Sequence, residues 1–236
     1  MTENFKDFAN NNKQFINDSI KTFMGIYYYS GVWQQTFWRG YRAFKYPTDM
    51  WTIQEIISET KPDIIIETGV MYGGSTLFLA DMLELFGNGK VIAVENNMRQ
   101  GIPTHNRIVY VEGDSTSNKI VEEVKKNFNG VHRVMVVLDS AHYKKHVLKE
   151  MEIYSKFVTP GCYMIVDDTC ISGHPVRSFE SEYVEIAPGP YEAVMEFLST
   201  NKDFEIDFMR EKFFVTTNPR GFLRRKAEDQ VRQAAL

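Results

Sequence analysis

The chain has 236 residues, 43% of them hydrophobic and 25% charged, which fits one large domain or one domain with an appended arm. A formal net charge of −4 gives a polyanion nothing global to bind, so nucleic acid is a poor expectation as partner. Cys162 and Cys170 form neither a CxxC pair nor a disulfide framework and suit a reducing, cytoplasmic setting; the polar N-terminus does not resemble a signal peptide, and no apolar run approaches the ~18 residues of a membrane span.

Residues 1–46 show no strand–helix alternation. Aromatics crowd from Phe23 onward, among them Tyr27, Tyr28, Trp33, Trp38, Phe44, Tyr46 and Trp51. Such a segment reads as an arm that packs on the domain surface and takes part in self-association, with a substrate lid as the alternative. Residues 47–236 then read as one domain. Pro47 to Thr60 predicts a helix with Met50, Ile53, Ile56 and Ile57 as its apolar stripe. The run Ile64-Ile65-Ile66 is what a strand buried on both faces looks like. Helix is expected at about 74–86, strands at 90–95 and 107–111, and helix at about 117–128. A strand at 133–138, a helix at about 143–156 and a strand at 162–166 follow. After a long loop at 169–189 come a helix at about 190–200 and strands near 204–208 and 212–217, the last expected antiparallel. The tail from Arg224 reads as a solvated, frayed helix. Apolar strands alternating with amphipathic helices give an α/β fold: a seven-stranded, mostly parallel sheet with helices on both faces. That arrangement is Rossmann-like, and the two closing strands suit its class I methyltransferase version.

In such a sheet, ligands bind at the carboxyl ends of the strands. The first domain strand ends in Glu67-Thr68-Gly69-Val70-Met71-Tyr72-Gly73-Gly74-Ser75, which is not the GxGxxG of a dinucleotide site. Gly69, Tyr72, Gly73 and Ser75 are therefore candidate contacts for a different nucleotide-like ligand. Glu67 has the charge to meet an amino acid's ammonium, where a pyrophosphate would be repelled. Glu95 ends the second strand and can accept from both ribose hydroxyls. Asp114 and Ser115 follow the third strand, within reach of an adenine amine. Three polar sites at three successive strand ends point to S-adenosylmethionine (SAM).

The next two strands deliver Asp139-Ser140-Ala141-His142 and Asp167-Asp168-Thr169. Three neighbouring carboxylates repel one another unless a cation sits among them, and a hard divalent ion, Mg²⁺ first, answers that need. The bland alternative is a solvated acidic edge. His142 stands in position to take the proton of a substrate hydroxyl. His146, at i+4, reads as solvated. His174, in the long loop, is a second candidate for substrate contact.

The blocks KYPTDMWTIQEI, KPDIIIETGVMYGGSTLFLA, VVLDSAHYKKHVLKEMEIYSKFVTPGCYMIVDDT, SGHPV and REKFFVTTNPRGFLRR together resemble the cephalosporin hydroxylase family. Despite that name, its members have the SAM methyltransferase fold and include proteins of cephalosporin methoxylation and rhamnose O-methylation. The chain is similar, more distantly, to macrocin and catechol O-methyltransferases. The resemblance, from about Lys45 to Arg225, implies Mg²⁺ on Asp139, Asp167 and Asp168, and SAM along Glu67, Gly69, Ser75, Glu95 and Asp114. It puts His142 where catechol O-methyltransferase carries a lysine base, and it implies a homo-oligomer. The expected activity is O-methylation of a small hydroxylated acceptor, a sugar or natural product. Iron-dependent hydroxylation, as the family name suggests, is disfavoured because none of the five histidines belongs to an HxD or HxE pair. A non-catalytic scaffold and a nicotinamide dehydrogenase are the remaining alternatives.

Overall fold

The computed structural model describes residues 3–128, 130, 133–171 and 188–227. The first segment is helical. α1 (Glu3–Asn11) and α2 (Lys13–Tyr29) lead through a 3-10 turn at Val32–Gln35 into a small hairpin, β1 (Phe37–Trp38) and β2 (Tyr41–Arg42). The hairpin is pinned to the domain: Trp38 Nε1 donates to Asp81 at 2.7 Å, and its ring meets Phe78 edge-on. Met24 and Tyr46 bury themselves against Cys170, with Tyr27 packed alongside. Other large apolar groups of α2 face outward, Phe15 and Ile26 being 67% and 65% exposed.

The domain opens with α3 (Pro47–Thr60) and continues as β3 (Ile64–Thr68), α4 (Gly74–Leu85), β4 (Lys90–Glu95), β5 (Ile108–Glu112) and α5 (Asn118–Lys125). Then come β6 (Val134–Leu138), α6 (Lys144–Tyr154), β7 (Tyr163–Val166), α7 (Pro190–Thr200), β8 (Phe204–Ile206) and β9 (Phe222–Arg225). The seven-stranded sheet runs β5-β4-β3-β6-β7-β9-β8. Pairings from β5 to β7 are parallel, and β9 is antiparallel to both β7 and β8. The predicted α/β fold is therefore present.

Alternation along the central strands explains the two layers. Ile64 and Ile66 join one core with α5, α6 and α7, whereas Ile65 joins the other with α3 and α4. All three isoleucines are at most 1% exposed. Each contributes roughly 1.5–3 kcal/mol over an exposed side chain. The order of strands reverses about β3 and β6, and their carboxyl ends form the crevice where ligands bind in sheets of this kind.

Two expectations need correction. Residues 212–217 are not a strand. Phe214 turns to φ +63, and side chains of α3 satisfy this backbone instead: Thr48 donates to the Val215 carbonyl at 2.7 Å and Asp49 accepts from the Thr217 amide at 2.9 Å. The last strand lies later, in β9, where Phe222 and Leu223 are fully buried on opposite faces of the sheet. Arg224 and Arg225 are consequently paired with β7 and β8 and do not begin a frayed helix. Gly221 permits this, because a Cβ there would lie 2.2 Å from the Val166 carbonyl oxygen.

Candidate functional site

A cavity of about 590 Å³ opens at the carboxyl ends of β3, β4, β6 and β7 and is covered by residues of the arm. Its floor is the turn after β3. Gly69 takes φ +89, and a Cβ on it would come within 2.0 Å of the Asp139 carbonyl oxygen. Only glycine lets the ends of β3 and β6 approach so closely. Gly73 caps α4 at φ +77, and the Arg42 carbonyl passes where a Gly74 side chain would stand. Ser75, in the first turn of α4, is buried and lines the cavity.

Glu95 holds this turn in shape. Its Oε2 accepts from the amides of Val70 and Met71 at 2.9 and 3.0 Å, and its Oε1 accepts from Asn97 at 3.1 Å. Carboxylate oxygens have further lone pairs, so Glu95 can still receive a ribose diol. Asn97 and Met98 line the same wall, a contribution that no sequence motif announced. Tyr72 lies beside Phe44, ring centroids 5.3 Å apart, with the Arg42 and Arg99 guanidiniums 5.4 and 4.8 Å from its centroid.

The remaining donor candidates sit elsewhere. Glu67 is fully buried beneath the turn and does not line the cavity. Its Oε2 accepts from Thr76, its Oε1 has no partner, and burial pushes its carboxyl up to about 7. Asp114 is exposed, and its Oδ1 accepts from the amide and hydroxyl of Thr116 at 2.8 and 2.9 Å; the amide bond chiefly lowers its pKa. Ser115 is buried and donates to Glu150. Neither Asp114 nor Ser115 lines the cavity.

Asp139, His142 and Asp168 do face it. His142 Nε2 is 3.6 Å from Asp168 Oδ2. Asp168 adopts φ +57, a left-handed turn that aspartate tolerates better than most residues. Asp167 points the other way and is 3% exposed. Its Oδ1 accepts from Asn218 Nδ2 and its Oδ2 from the ammonium of Lys45, which also reaches Asp139 Oδ2 at 2.7 Å. The cation that three carboxylates require is thus partly supplied by the chain itself. Burial opposes the Lys45 charge, yet Asp139 and Asp167 outweigh it and hold the ammonium well above its ordinary pKa. Burial likewise raises all three aspartates, opposed first by Lys45 at Asp139 and Asp167 and by His142 at Asp168.

Two positions invisible to motif reading organise this centre. Asn218, fully buried, donates to Asp167 and accepts from the Asp168 amide at 2.9 Å. Asp49 accepts from Thr216 and from the Thr217 amide and hydroxyl, fixing the segment that carries Asn218; burial lifts its carboxyl to about 7. Among the described residues, no three Asp, Glu, His or Cys side chains stand in an arrangement ready to hold a metal ion. Asp139 and Asp168 fit a cation from the cavity side, while Asp167 is closed off by Lys45 and Asn218.

The other two described histidines are occupied. His105 lies 3.5 Å from Asp81, and His146, read from sequence as solvated, is half-buried 3.5 Å from Glu150, which raises its pKa. No described pair of histidines faces the cavity as an iron oxygenase would require. His174 and most of the 169–189 loop lie outside the described residues. No helix among the described residues is long and apolar enough to cross a membrane.

Residues 30–226 match the family described as Rhamnosyl O-methyltransferase/CmcI. The chain is 36% identical over 204 residues to a rhamnosyl O-methyltransferase of Mycobacterium tuberculosis (strain ATCC 25618 / H37Rv), spanning 84% of this chain and 81% of that one. It is 35% identical over 206 residues to the Mycobacterium leprae (strain TN) protein of the same name, spanning 85% and 87%. Among solved structures, CmcI with Mg and SAM superposes with a TM-score of 0.62 at 21% identity, covering 82% of this chain and 78% of that one. An O-methyltransferase from Bacillus cereus in complex with SAH (S-adenosylhomocysteine) gives 0.51 at 16%, covering 68% and 72%.

Proposed function

We propose, from the premise that this chain belongs to the rhamnosyl O-methyltransferase/CmcI family and is a SAM-dependent O-methyltransferase, that it methylates a sugar hydroxyl with a divalent ion at Asp139 and Asp168. The observation that carries the reading is the opening of the glycine turn, Glu95 and the Asp139–His142–Asp168 group into one cavity.

SAM supplies an electrophilic methyl group on a sulfonium. The chain's own task is to hold donor and acceptor in line and to remove one proton. Gly69 bares backbone to the cavity, Gly73 and Gly74 let Pro103 and the Arg42 carbonyl close against the turn, and Glu95 would take the donor's ribose diol. Ser75 and the first turn of α4, whose amides favour a carboxylate, would hold the methionyl end. His142 is the base: as the new C–O bond forms and the S–C bond breaks, the hydroxyl proton passes to the imidazole. The Asp168 carboxylate beside it stabilises the resulting positive charge. A divalent ion on Asp139 and Asp168 would make the hydroxyl more acidic, and Mg²⁺ is the hard cation this oxygen set favours.

The arm's rings support a sugar acceptor. Tyr28 and Trp33 stack in the cavity wall at 5.8 Å, and Trp33 meets Phe44 edge-on. Such flat apolar surfaces suit the C–H face of a pyranose, with polar groups fixing its orientation. Rhamnosides are the first acceptors to test.

Calorimetric titration with SAH, followed by methylation of a rhamnoside panel with Mg²⁺ or with EDTA, decides the matter. Binding at micromolar concentration and EDTA-sensitive turnover are expected. In H142A, SAH affinity should persist while kcat falls roughly 100-fold or more, the scale of a lost general base. No SAH binding would refute the donor site, and full turnover in EDTA would refute the metal.

A further inference from the structure

We infer that Lys45 is the resident counter-ion of the acid centre and competes with a divalent ion for the same carboxylates. The inference rests on the metal reading above but concerns a residue that reading leaves out.

Lys45 comes from the junction between arm and domain. Its neighbours fix it there: the Ala43 amide donates to the Thr36 carbonyl, and buried Tyr46 stands at the N-cap of α3. The lysine side chain is 7% exposed and ends between Asp139 Oδ2 and Asp167 Oδ2. It is absent from the cavity wall, whereas Asp139 is present there. Lys45 therefore approaches the cluster from behind, and any ligand approaches from the front.

With Asn218 on Oδ1 and Lys45 on Oδ2, both oxygens of Asp167 are engaged. One oxygen of Asp139 is engaged as well. A divalent ion prefers six close oxygen ligands. If it binds only at the front, it meets Asp139 and Asp168 with an ammonium directly behind. If it recruits Asp167, the ammonium must leave. Either way, like charges contend for one patch of negative charge, and the buried setting screens them poorly. The lysine thus keeps the carboxylates together before an ion arrives and weakens the grip on the ion once it does. The arm's terminal segment, in consequence, sets metal affinity as well as covering the cavity.

The test measures Mn²⁺ binding by electron paramagnetic resonance on the full chain, comparing wild type, K45M and K45R, with SAH binding measured in parallel. K45M removes the charge and keeps the length. It should bind Mn²⁺ roughly tenfold tighter or more, while K45R, which keeps the charge, should show no gain. Equal or weaker binding in K45M would overturn the inference. So would an equal gain in K45R, which would make shape and not charge the cause. If K45M does not fold in metal-free buffer, thermal melts with increasing Mn²⁺ decide. Recovery of the fold supports an exchange of cations at one site, and a chain that stays unfolded in millimolar Mn²⁺ excludes it. Loss of SAH binding by the wild type would instead refute the donor-site reading, and the Mn²⁺ comparison would still decide the role of Lys45.

Discussion

The proposed donor side of the cavity and its acid side are built by opposite means. The donor side is nearly continuous in sequence: a glycine turn from Gly69 to Gly74, then Glu95 folding back 25 residues to hold it. Its close packing depends on bare backbone. The acid side gathers Lys45, Asp139, Asp167, Asp168 and Asn218 from four separate segments, with Lys45 and Asp167 122 residues apart. Its function lies in side chains that neutralise one another. The first should therefore fail when atoms are added, the second when they are removed.

Adding one carbon at Gly69 gives the largest expected effect. A Cβ there would press into backbone of Asp139 and Ser140, atoms that cannot swing aside, at a φ few residues adopt. G69A should lose about 3 kcal/mol or more in chemical denaturation. SAH affinity should fall with it. A G69A chain that is nearly as stable as wild type and binds SAH normally would show that β3 and β6 can part at little cost.

Removing atoms at Asn218 is the corresponding cut on the acid side. N218A leaves Asp167 Oδ1 and the Asp168 amide without their partner in a buried place. A cost of about 2–3 kcal/mol follows from stranding such groups. Because the glycine turn is remote from this defect, SAH affinity should hold while turnover and Mn²⁺ binding drop. Equal loss of both ligands would mean that the two sides are not separable.

The same contrast explains what was legible in the sequence. Strands β3 to β7 announced themselves through apolar runs, and the glycine turn through its place at a strand end. Asp139, His142 and Asp168 were visible because carboxylates and an imidazole at strand ends are costly without purpose. Lys45 was not, since one lysine among AFKYP has no local mark, and its partners lie 94 and 122 residues away. Asn218 hides in TTNPRG, which reads as a turn. The last strand is concealed for a related reason. FFVTT has the composition of a strand, but Asp49 and Thr48 outcompete strand pairing for its backbone, and β9 carries arginines that conceal its two buried positions.

A pH-dependent effect of similar size belongs to Glu67, which sits beneath the glycine turn. Its folded pKa, about 7, lies above the ordinary 4.5, so the folded chain holds this proton more tightly than the unfolded one. Stability from that proton is complete below pH 4.5 and is lost as pH rises through 7, a change of up to about 3 kcal/mol. E67Q does not titrate. Its stability relative to wild type should therefore climb between pH 5 and 8, as read in denaturation midpoints. Saturating SAH should flatten this climb if the donor's ammonium reaches the unpartnered Oε1. A climb that SAH leaves unchanged would assign Glu67 to the fold alone.

The smallest effect is expected at Asp114, and it is the sharpest test of where the donor side ends. A strand-end carboxylate in this position invites an adenine contact, yet here it is committed to the amide and hydroxyl of Thr116 just ahead of α5. Local bonds of that kind form within a few residues and need no ligand to complete them. D114A should accordingly cost about 1 kcal/mol of stability, as lost capping groups do. Its SAH affinity should stay within about threefold of wild type, whereas E95A, by removing the group that braces the turn, should lose tenfold or more. If D114A weakens SAH as strongly as E95A, the Thr116 bonds must give way to the nucleoside on binding. The donor side would then extend to the end of β5, beyond the cavity wall formed by Asn97 and Met98.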